Sequence, residues 1–236
     1  MNVLVVVPTY NERENLPVLV PAVLERDNYR ILVADDGSPD GTGALADELA
    51  ARWRGRLHVL HRTGARGLGR SYLEAFRRAI AEPVDVICQM DADLSHDPEH
   101  LPALVEAART HDLVLGSRYL HGISVVNWPL HRIALSTGAN LYIRAVTGMP
   151  VRDCTSGFRC WRREALARLP LDAIVSDGYS FQIEMLWRAT RLGFRITEVP
   201  IVFVERREGH SKLSQAVLVE ALWMPWRLRF GSGRRR

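Results

Sequence analysis

The sequence contains little that would place the protein in an oxidising compartment or across a bilayer. Its 236 residues include three cysteines, Cys88, Cys154 and Cys160, which are odd in number and have no metal-ligand spacing. We therefore expect no structural disulfide and no cysteine metal site. The amino terminus has no basic segment followed by a cleavage site, which predicts no secretory signal. These absences predict a cytoplasmic protein.

The positive charge is carried almost entirely by arginine. Lys212 is the only lysine among 31 basic residues, and the formal net charge of +4 is spread along the chain until Arg234, Arg235 and Arg236. Such a diffuse charge argues against nucleic acid as a partner, whereas it suits an anionic ligand or lipid surface. No Gly-x-Gly-x-x-Gly follows the first apolar run, which disfavours a dinucleotide oxidoreductase.

Short β-branched runs alternate with helical patterns along the chain. The predicted strands are residues 3–7, 30–34, 57–61, 84–90, 112–115, 157–161 and 196–204. The predicted helices are residues 15–26, 41–52, 69–81, 98–109, 130–146 and 179–192. Because strand and helix alternate strictly in the first half, we expect parallel strands joined by right-handed crossovers. The sequence therefore predicts an α/β fold with a mostly parallel, Rossmann-like sheet flanked by helices.

Polar loops follow the first, second and fourth predicted strands, at residues 8–12, 35–42 and 91–97. In open α/β sheets the carboxyl ends of the strands border one crevice, so these loops should converge there. Asp91 and Asp93 are alternate carboxylates at the mouth of a buried strand, where a hard divalent cation can bridge them to a diphosphate. Each loop alone is also explained as a turn or a helix cap. Three such loops together favour a nucleotide diphosphate site.

Two further segments have the chemistry of phosphate contacts. Arg132, Ser136 and Asn140 recur every four residues in an otherwise apolar helical pattern, so they form one polar stripe. An arginine and a hydroxyl suit a phosphate, although such a stripe can also simply face water. Residues 206–212 form a glycine-containing basic loop that includes Lys212 and can fold over a diphosphate. A solvated basic loop is the alternative.

Residues 216–226 are apolar except for a glutamate and a proline. As a helix this run is about 16 Å long, whereas a bilayer core is roughly 30 Å thick, so it cannot span a membrane. Trp223, Trp226, Arg227 and Arg229 provide the aromatic and basic flank of a segment that lies among lipid headgroups. A helix docked on the domain, followed by a basic tail, is the alternative.

The three loops, together with Gly67-Leu68-Gly69, resemble those of the inverting family 2 glycosyltransferases. Five later segments are similar to the dolichol-phosphate and polyprenol-phosphate mannose synthases: Gly116-Ser117-Arg118-Tyr119, Asn127-Trp128-Pro129, residues 153–159, residues 178–184 and residues 206–212. The likeness covers nearly the whole chain to about Ser214, and the later motifs are the more specific ones. It implies a GT-A (nucleotide-diphospho-sugar transferase) fold over residues 1–213. The composition of residues 214–236 predicts an amphipathic, membrane-interfacial segment with a basic tail.

The resemblance also implies the roles of individual residues. Donor contacts are implied at Pro8, Tyr10, Glu12, Ala34, Asp36, Asp91, Ala92, Asp93, Arg206 and Lys212. Mg²⁺ or Mn²⁺ is implied on Asp91 and Asp93, with Ser95 as a further ligand where some relatives have a glutamine. The acceptor phosphate is implied on Arg118, Arg132 and Ser136, and the catalytic group is Asp93, Arg118 and Arg132. Glu184 is expected to support an arginine.

The reaction implied by the resemblance is inverting transfer of mannose from GDP-mannose to a polyprenyl (dolichyl-type) phosphate, giving a β-mannosyl phosphoryl polyprenol. The second pKa of a phosphate monoester is about 6, so the nucleophile is largely dianionic at neutral pH and needs no general base. The alternatives are a UDP-glucose-dependent polyprenyl-phosphate glucosyltransferase, another family 2 enzyme with a hydroxyl acceptor and a carboxylate base, or a non-catalytic nucleotide-binding module.

The expected location follows from the lipid substrate. We expect peripheral association with the cytoplasmic face of a membrane, and no nucleic acid partner. A membrane-anchoring protein subunit, the length of the polyprenyl chain and the preferred metal are left open by the sequence.

Overall fold

The computed structural model describes residues 1–205 and 215–231 and contains a seven-stranded sheet, a two-stranded sheet and surrounding helices. The strands are β1 (Val3–Thr9), β2 (Tyr29–Asp35), β3 (Leu57–His61), β4 (Val86–Gln89), β5 (Leu113–Ser117), β6 (Val125–Val126), β7 (Arg159–Arg162), β8 (Ile196–Pro200) and β9 (Phe203–Val204). The helices are α1 (Leu16–Leu24), α2 (Thr42–Arg52), α3 (Leu68–Ile80), α4 (Leu101–Ala107), α5 (Leu130–Thr147), α6 (Arg163–Ala167), α7 (Gly178–Arg191) and α8 (Gln215–Gly231). Short 3-10 helices lie at Pro98–His100 and Leu171–Ala173.

The large sheet has the order β3-β2-β1-β4-β7-β5-β8. Its neighbouring strands are parallel except at β7, which runs antiparallel to both β4 and β5. The predicted mostly parallel α/β sheet is therefore confirmed. All seven residues of β1 are buried, as expected for a parallel strand with both faces covered.

The single strand predicted over residues 196–204 is wrong in one respect, because the chain divides there into β8 and β9. Pro200 ends β8, and the next amide, that of Ile201, donates to the carbonyl of Ser117 at 3.1 Å. Pairing then changes partner, since β9 runs parallel to β6 in the separate two-stranded sheet. This change of sheet brings Phe203 close to the loop that follows β4.

Apolar side chains fill both faces of the large sheet. One cluster includes residues of α3, α6 and α7, and the other includes residues of α1, α2 and α4. Met224 and Leu228 of α8 belong to the first cluster, so α8 is docked on the domain. Among the described residues, no helix is both long enough and apolar enough to cross a bilayer.

Candidate active site

A cavity of about 540 Å³ lies at the carboxyl ends of β1, β2 and β4, where the sequence places its three polar loops. Seven of the ten predicted donor residues line it: Pro8, Tyr10, Glu12, Asp36, Asp91, Ala92 and Asp93. The first two loops are joined directly, because the amide of Glu12 donates to the Thr42 hydroxyl at 3.0 Å. The predicted convergence of the three loops is therefore present in the fold.

The other three predicted donor residues are not among the described residues that line the cavity. Ala34 is fully buried within β2, and its carbonyl accepts a hydrogen bond from the Ser71 hydroxyl at 3.4 Å. Its side chain therefore packs in the core, and a role in donor binding stays a prediction. Arg206 and Lys212 lie outside the described residues, so their roles also stay predictions.

The loop that carries the paired carboxylates is held by its own hydrogen bonds. The Oδ1 atom of Asp93 accepts from the backbone amide of Ser95 at 3.1 Å and from its hydroxyl at 2.5 Å. Leu94, between them, has a φ of 61°, in the left-handed region that a non-glycine residue seldom adopts. Ser95 thus orients Asp93, and direct binding of a metal by Ser95 stays a prediction.

His96, a residue that no sequence pattern indicated, holds the backbone of Asp91, which carries the other carboxylate. Its Nδ1 atom accepts from the backbone amide of Asp91 at 3.1 Å, and its ring stacks on Phe158 with centroids 4.9 Å apart. Burial lowers the pKa of His96, so the ring is neutral at pH 7. Because Nδ1 is an acceptor, the ring proton lies on Nε2. The adjacent Ser-His-Asp sequence resembles a helix start and gave no signal of this role.

Two arginines outside the predicted set contact residues that line the cavity. Arg62 is buried and forms an ion pair with Asp36, whose Oδ2 atom also accepts from the Gly67 amide at 2.8 Å. Arg66 donates to the Tyr10 hydroxyl at 2.7 Å, and its guanidinium carbon lies 4.7 Å from the centre of that ring. Arg66 therefore connects two sides of the cavity. The only available signal was its position directly before the Gly-Leu-Gly motif.

The Gly-Leu-Gly motif is explained by a close approach to Asp177, which also lines the cavity. The Oδ1 atom of Asp177 accepts from the amides of Gly69 at 2.6 Å and Gly178 at 2.8 Å. Gly67 has a φ of 153°, and a Cβ atom there would lie 1.8 Å from the other carboxylate oxygen. A larger residue at position 67 would therefore displace Asp177 from the edge of the cavity.

Arg118, at the end of β5, forms a buried ion pair with Asp153. The Nε and Nη2 atoms of Arg118 donate to the two carboxylate oxygens at 2.7 Å each, and the Arg118 amide donates to one of them at 3.1 Å. Burial alone would raise the pKa of Asp153, but the positive charge and hydrogen bonds of Arg118 outweigh burial and lower that pKa. Asp153 therefore stays ionised and fixes Arg118.

Arg132, on α5, contacts the same indole ring as Arg118. The guanidinium carbon of Arg132 lies 4.1 Å from the centre of the Trp128 ring, and that of Arg118 lies 5.5 Å from it. Arg132 also forms an ion pair with Glu205, directly after β9. The structure thus brings the two predicted acceptor arginines together. Trp128 was indicated in the sequence only as part of the Asn-Trp-Pro motif, and no pattern indicated Glu205.

The predicted polar stripe on α5 divides into two environments. Ser136 accepts a hydrogen bond from the Tyr119 hydroxyl at 2.7 Å, and the Tyr119 ring lies 5.4 Å from the guanidinium carbon of Arg118. Asn140, by contrast, is buried, and its side-chain oxygen accepts from the Cys154 amide at 2.7 Å. Ser136 therefore lies beside Arg118 and Arg132, which we call the arginine cluster. Asn140 instead anchors the loop that carries Asp153.

Glu184 supports an arginine as expected, although the arginine is Arg188 on the same helix. The two side chains form an ion pair at 2.6 Å, and the other Glu184 oxygen accepts from the Ser176 amide at 3.1 Å. These contacts fasten α7 to the loop before it.

The helix α8 has a buried side and an exposed aromatic side. Tyr142 of α5 anchors it, because its hydroxyl accepts from Trp226 Nε1 at 2.7 Å and donates to the Leu222 carbonyl at 2.6 Å. Trp223 and Phe230 are 71% and 65% exposed. The helix is docked on the domain, which fits a structural role. It also presents large apolar side chains to solvent, which fits a segment that lies among lipid headgroups.

Comparison with known proteins gives a consistent family assignment. A profile of the family described as Glycosyl transferase family 2 matches residues 4–169. The chain is 49% identical to a polyprenol monophosphomannose synthase of Mycolicibacterium smegmatis over 93% of this chain and 84% of that protein. It is 50% identical to an undecaprenyl-phosphate mannosyltransferase of Micrococcus luteus over 94% of this chain and 91% of that protein.

Solved structures with low sequence identity share the fold. A glucosyl-3-phosphoglycerate synthase of Mycobacterium tuberculosis, in complex with Mn²⁺, UDP and glucosyl-3-phosphoglycerate, aligns with a TM-score of 0.67. It is 22% identical, and the alignment covers 98% of this chain and 80% of that one. A second structure of that enzyme, with phosphoglyceric acid, aligns with a TM-score of 0.69 at 20% identity, covering 100% of this chain and 80% of that one.

Proposed function

Because the chain belongs to glycosyl transferase family 2, we propose that it transfers mannose from GDP-mannose to the phosphate of a polyprenyl lipid at a membrane surface. The observation that carries the proposal is a contact between the loop of Asp91 and Asp93 and the cluster formed by Arg118, Arg132 and Trp128. The Phe203 ring lies 5.6 Å from the ring of His96, behind the carboxylate loop, and 5.4 Å from the ring of Trp128, beside the two arginines. Phe203 therefore joins the loop of Asp91 and Asp93 to the cluster of Arg118 and Arg132, an arrangement that supports transfer from a donor in the cavity to a phosphate on the arginines.

The carboxylate loop fits a hard divalent cation. Asp91 and Asp93 line the cavity and offer oxygen ligands, which Mg²⁺ and Mn²⁺ prefer. Among the described residues no group of three or more His, Cys, Asp or Glu side chains could hold a metal by itself. A site of two carboxylates suits an ion that also binds substrate phosphates. Such an ion, when bound, would offset the charge of the departing diphosphate.

The acceptor phosphate can act without a protein base. One of its oxygens forms the bond to the anomeric carbon while the bond from that carbon to GDP breaks, which inverts the configuration. A phosphate monoester is already largely dianionic at pH 7, since its second pKa is about 6. Arg118, fixed by Asp153, and Arg132, fixed against Trp128, would hold this oxygen in line. Positioning and charge stabilisation then account for catalysis.

The proposed reaction is tested by incubating the purified protein with radiolabelled GDP-mannose or UDP-glucose, polyprenyl phosphate and Mg²⁺ or Mn²⁺. We expect label in the organic phase from GDP-mannose, and none when the metal is chelated. If label reached the organic phase from UDP-glucose alone, the protein would instead be a UDP-glucose-dependent glucosyltransferase. Retention of either nucleotide without transfer to lipid would favour a non-catalytic binding module.

Arg66 provides a prediction for the donor side. Arg66→Ala removes a cationic side chain from the lining of the cavity, where the lost attraction for a diphosphate is worth about 1 to 2 kcal/mol at an exposed site. It also removes the hydrogen bond and the cation–π contact that hold Tyr10. We expect GDP affinity, measured by calorimetry with metal present, to fall roughly 5- to 30-fold. The apparent KM for the lipid phosphate should not change. Arg52→Ala, an exposed arginine at the end of α2, is the matched control. If GDP affinity were unchanged, Arg66 would have no part in donor binding.

We also propose that α8 holds the enzyme on the cytoplasmic face of a membrane without crossing it. A Trp223→Ala/Phe230→Ala variant removes two exposed aromatic side chains but leaves the buried Met224 and Leu228. We expect binding to anionic vesicles to weaken about tenfold or more, and the apparent KM for a long-chain acceptor to rise. A short, water-soluble prenyl phosphate should be used as before. Val18→Ala, at a residue 57% exposed on α1, is the control. Unchanged vesicle binding would leave α8 a purely structural helix.

A further inference from the structure

We propose that Glu205 acts as a built-in competitor for the acceptor phosphate, occupying Arg132 until a phosphate displaces it. This inference deepens the proposed function and rests on it, since it takes Arg132 as an acceptor residue. Its consequence is a higher affinity threshold for any phosphate that binds there. A carboxylate on Arg132 weakens the binding of every anion there, so soluble phosphates bind poorly. A lipid phosphate, which gains affinity from its tail and is concentrated at the membrane, can still bind.

The charges of the arginine cluster show why a carboxylate must leave. Arg118 is paired with Asp153 and Arg132 with Glu205, so these four side chains have no net formal charge. A phosphate dianion that entered beside both carboxylates would meet two negative charges at close range, which is unfavourable in a partly buried site. Binding of the acceptor therefore requires that one carboxylate give up its arginine.

The surroundings of the two carboxylates decide which of them leaves. Asp153 has a side chain that is 0% exposed and accepts hydrogen bonds from the side chain and the amide of Arg118 and from the Thr155 hydroxyl. Moving it would leave a buried charge without a partner, which is costly. Glu205 has a side chain that is 25% exposed and can turn into water. Glu205 is therefore the carboxylate that yields.

Arg132 does not depend on Glu205 alone for its position. Its guanidinium carbon lies 4.1 Å from the centre of the Trp128 ring, and the Phe203 ring packs against the same indole at an interplanar angle of 74°. When Glu205 leaves, this cation–π contact can keep Arg132 in place for the phosphate. Glu205 thus affects the occupancy of Arg132 more than its placement, and a merely supporting role would have the opposite effect on affinity.

Steady-state kinetics of Glu205→Gln test the inference, with a short, water-soluble prenyl phosphate as acceptor and inorganic phosphate as competitive inhibitor. The neutral amide would lack the competing charge, so both the acceptor KM and the inhibition constant for inorganic phosphate should fall about tenfold, equivalent to roughly 1.4 kcal/mol. The two constants should fall by the same factor, because one competitor has been removed from both equilibria. GDP affinity should stay the same. Glu205→Ala should change both constants in the same direction.

Two comparisons make the result decisive. Glu106→Gln removes the carboxylate of an exposed glutamate on α4 that is paired with Arg109 at 2.6 Å and does not line the cavity, so it should change neither constant. In an Arg132→Met background, Glu205→Gln should lower both constants by a smaller factor than in the wild-type protein, because competition for Arg132 is then absent and only the repulsion between Glu205 and the phosphate remains. If Glu205→Gln instead raises both constants, or leaves them unchanged, the competitor role is wrong while the proposed function stands. If the wild-type protein transfers no sugar to the prenyl phosphate, the proposed function itself fails.

Discussion

Asp93→Asn should reduce kcat/KM for sugar transfer at least 100-fold, equivalent to about 2.7 kcal/mol of transition-state stabilisation. An amide is a poorer ligand than a carboxylate for a hard cation, so the charge of the departing diphosphate would be less well compensated. The loop should survive, because the side-chain oxygen of asparagine can still accept both hydrogen bonds from Ser95. The melting temperature should therefore change little.

Binding separates the loss of a metal ligand from other causes. With Mn²⁺ present, GDP should bind Asp93→Asn more weakly than it binds wild type, whereas with chelator the two proteins should bind GDP alike. Asp97→Asn is the matched control in the same loop, because Asp97 accepts from the Glu99 amide at 2.9 Å and asparagine caps a helix equally well. Retention of more than about a tenth of wild-type turnover, a barrier change below roughly 1.4 kcal/mol, would remove Asp93 from the metal site.

Much of the fold could be predicted from local patterns. Apolar runs such as Val3–Thr9 identify buried parallel strands, and their alternation with helices predicts the crossovers. The reversed direction of β7 could not be read in this way, because strand direction depends on the path of the preceding chain, not on periodicity. The division after Pro200 was missed for a related reason. Both halves of the segment are extended, and only tertiary pairing assigns them to different sheets.

Site residues that directly follow a strand could be predicted from the sequence. Site residues whose role depends on a partner distant in sequence were missed. Asp91 and Asp93 were found because a carboxylate pair after a buried strand is a local signal. Glu205 pairs with Arg132 across 73 positions of the chain, and no local pattern indicates this. Asn140 had the spacing of a surface stripe, yet it is buried and binds the backbone of a distant loop.

Asp153→Asn should cost roughly 3 to 5 kcal/mol of stability, because it leaves the buried Arg118 guanidinium facing a neutral amide. Small folded domains have about 5 to 15 kcal/mol in total, so this loss is large. The melting temperature should fall by about 6 to 20 °C, since 1 kcal/mol corresponds to roughly 2 to 4 °C at this chain length. Transfer activity should also fall sharply, because Arg118 would lose the partner that orients it.

The pH dependence of this loss has a definite sign. The folded protein holds the pKa of Asp153 below its ordinary value, which is about 3.9 in an unfolded chain. A lowered folded pKa contributes stability that is complete above the unfolded pKa and is lost as the pH falls through the folded value. The difference in melting temperature between wild type and Asp153→Asn should therefore be constant from about pH 8 to 5 and should narrow below about pH 4. A difference that widened on acidification would contradict the assigned ion pair.

A double-mutant cycle separates the structural role of the pair from its chemical role. Arg118→Met alone should also be destabilising, because Asp153 would then be a buried carboxylate without its cation. The Arg118→Met/Asp153→Asn protein contains neither unpaired charge, so it should be more stable than either single variant. It should nevertheless stay inactive, because methionine cannot hold an acceptor phosphate. Thermal unfolding and transfer assays on the four proteins measure the two effects. If the losses of stability simply added, Arg118 and Asp153 would not act as a pair; if activity returned with stability, Arg118 would serve the fold alone and the acceptor site would lie elsewhere.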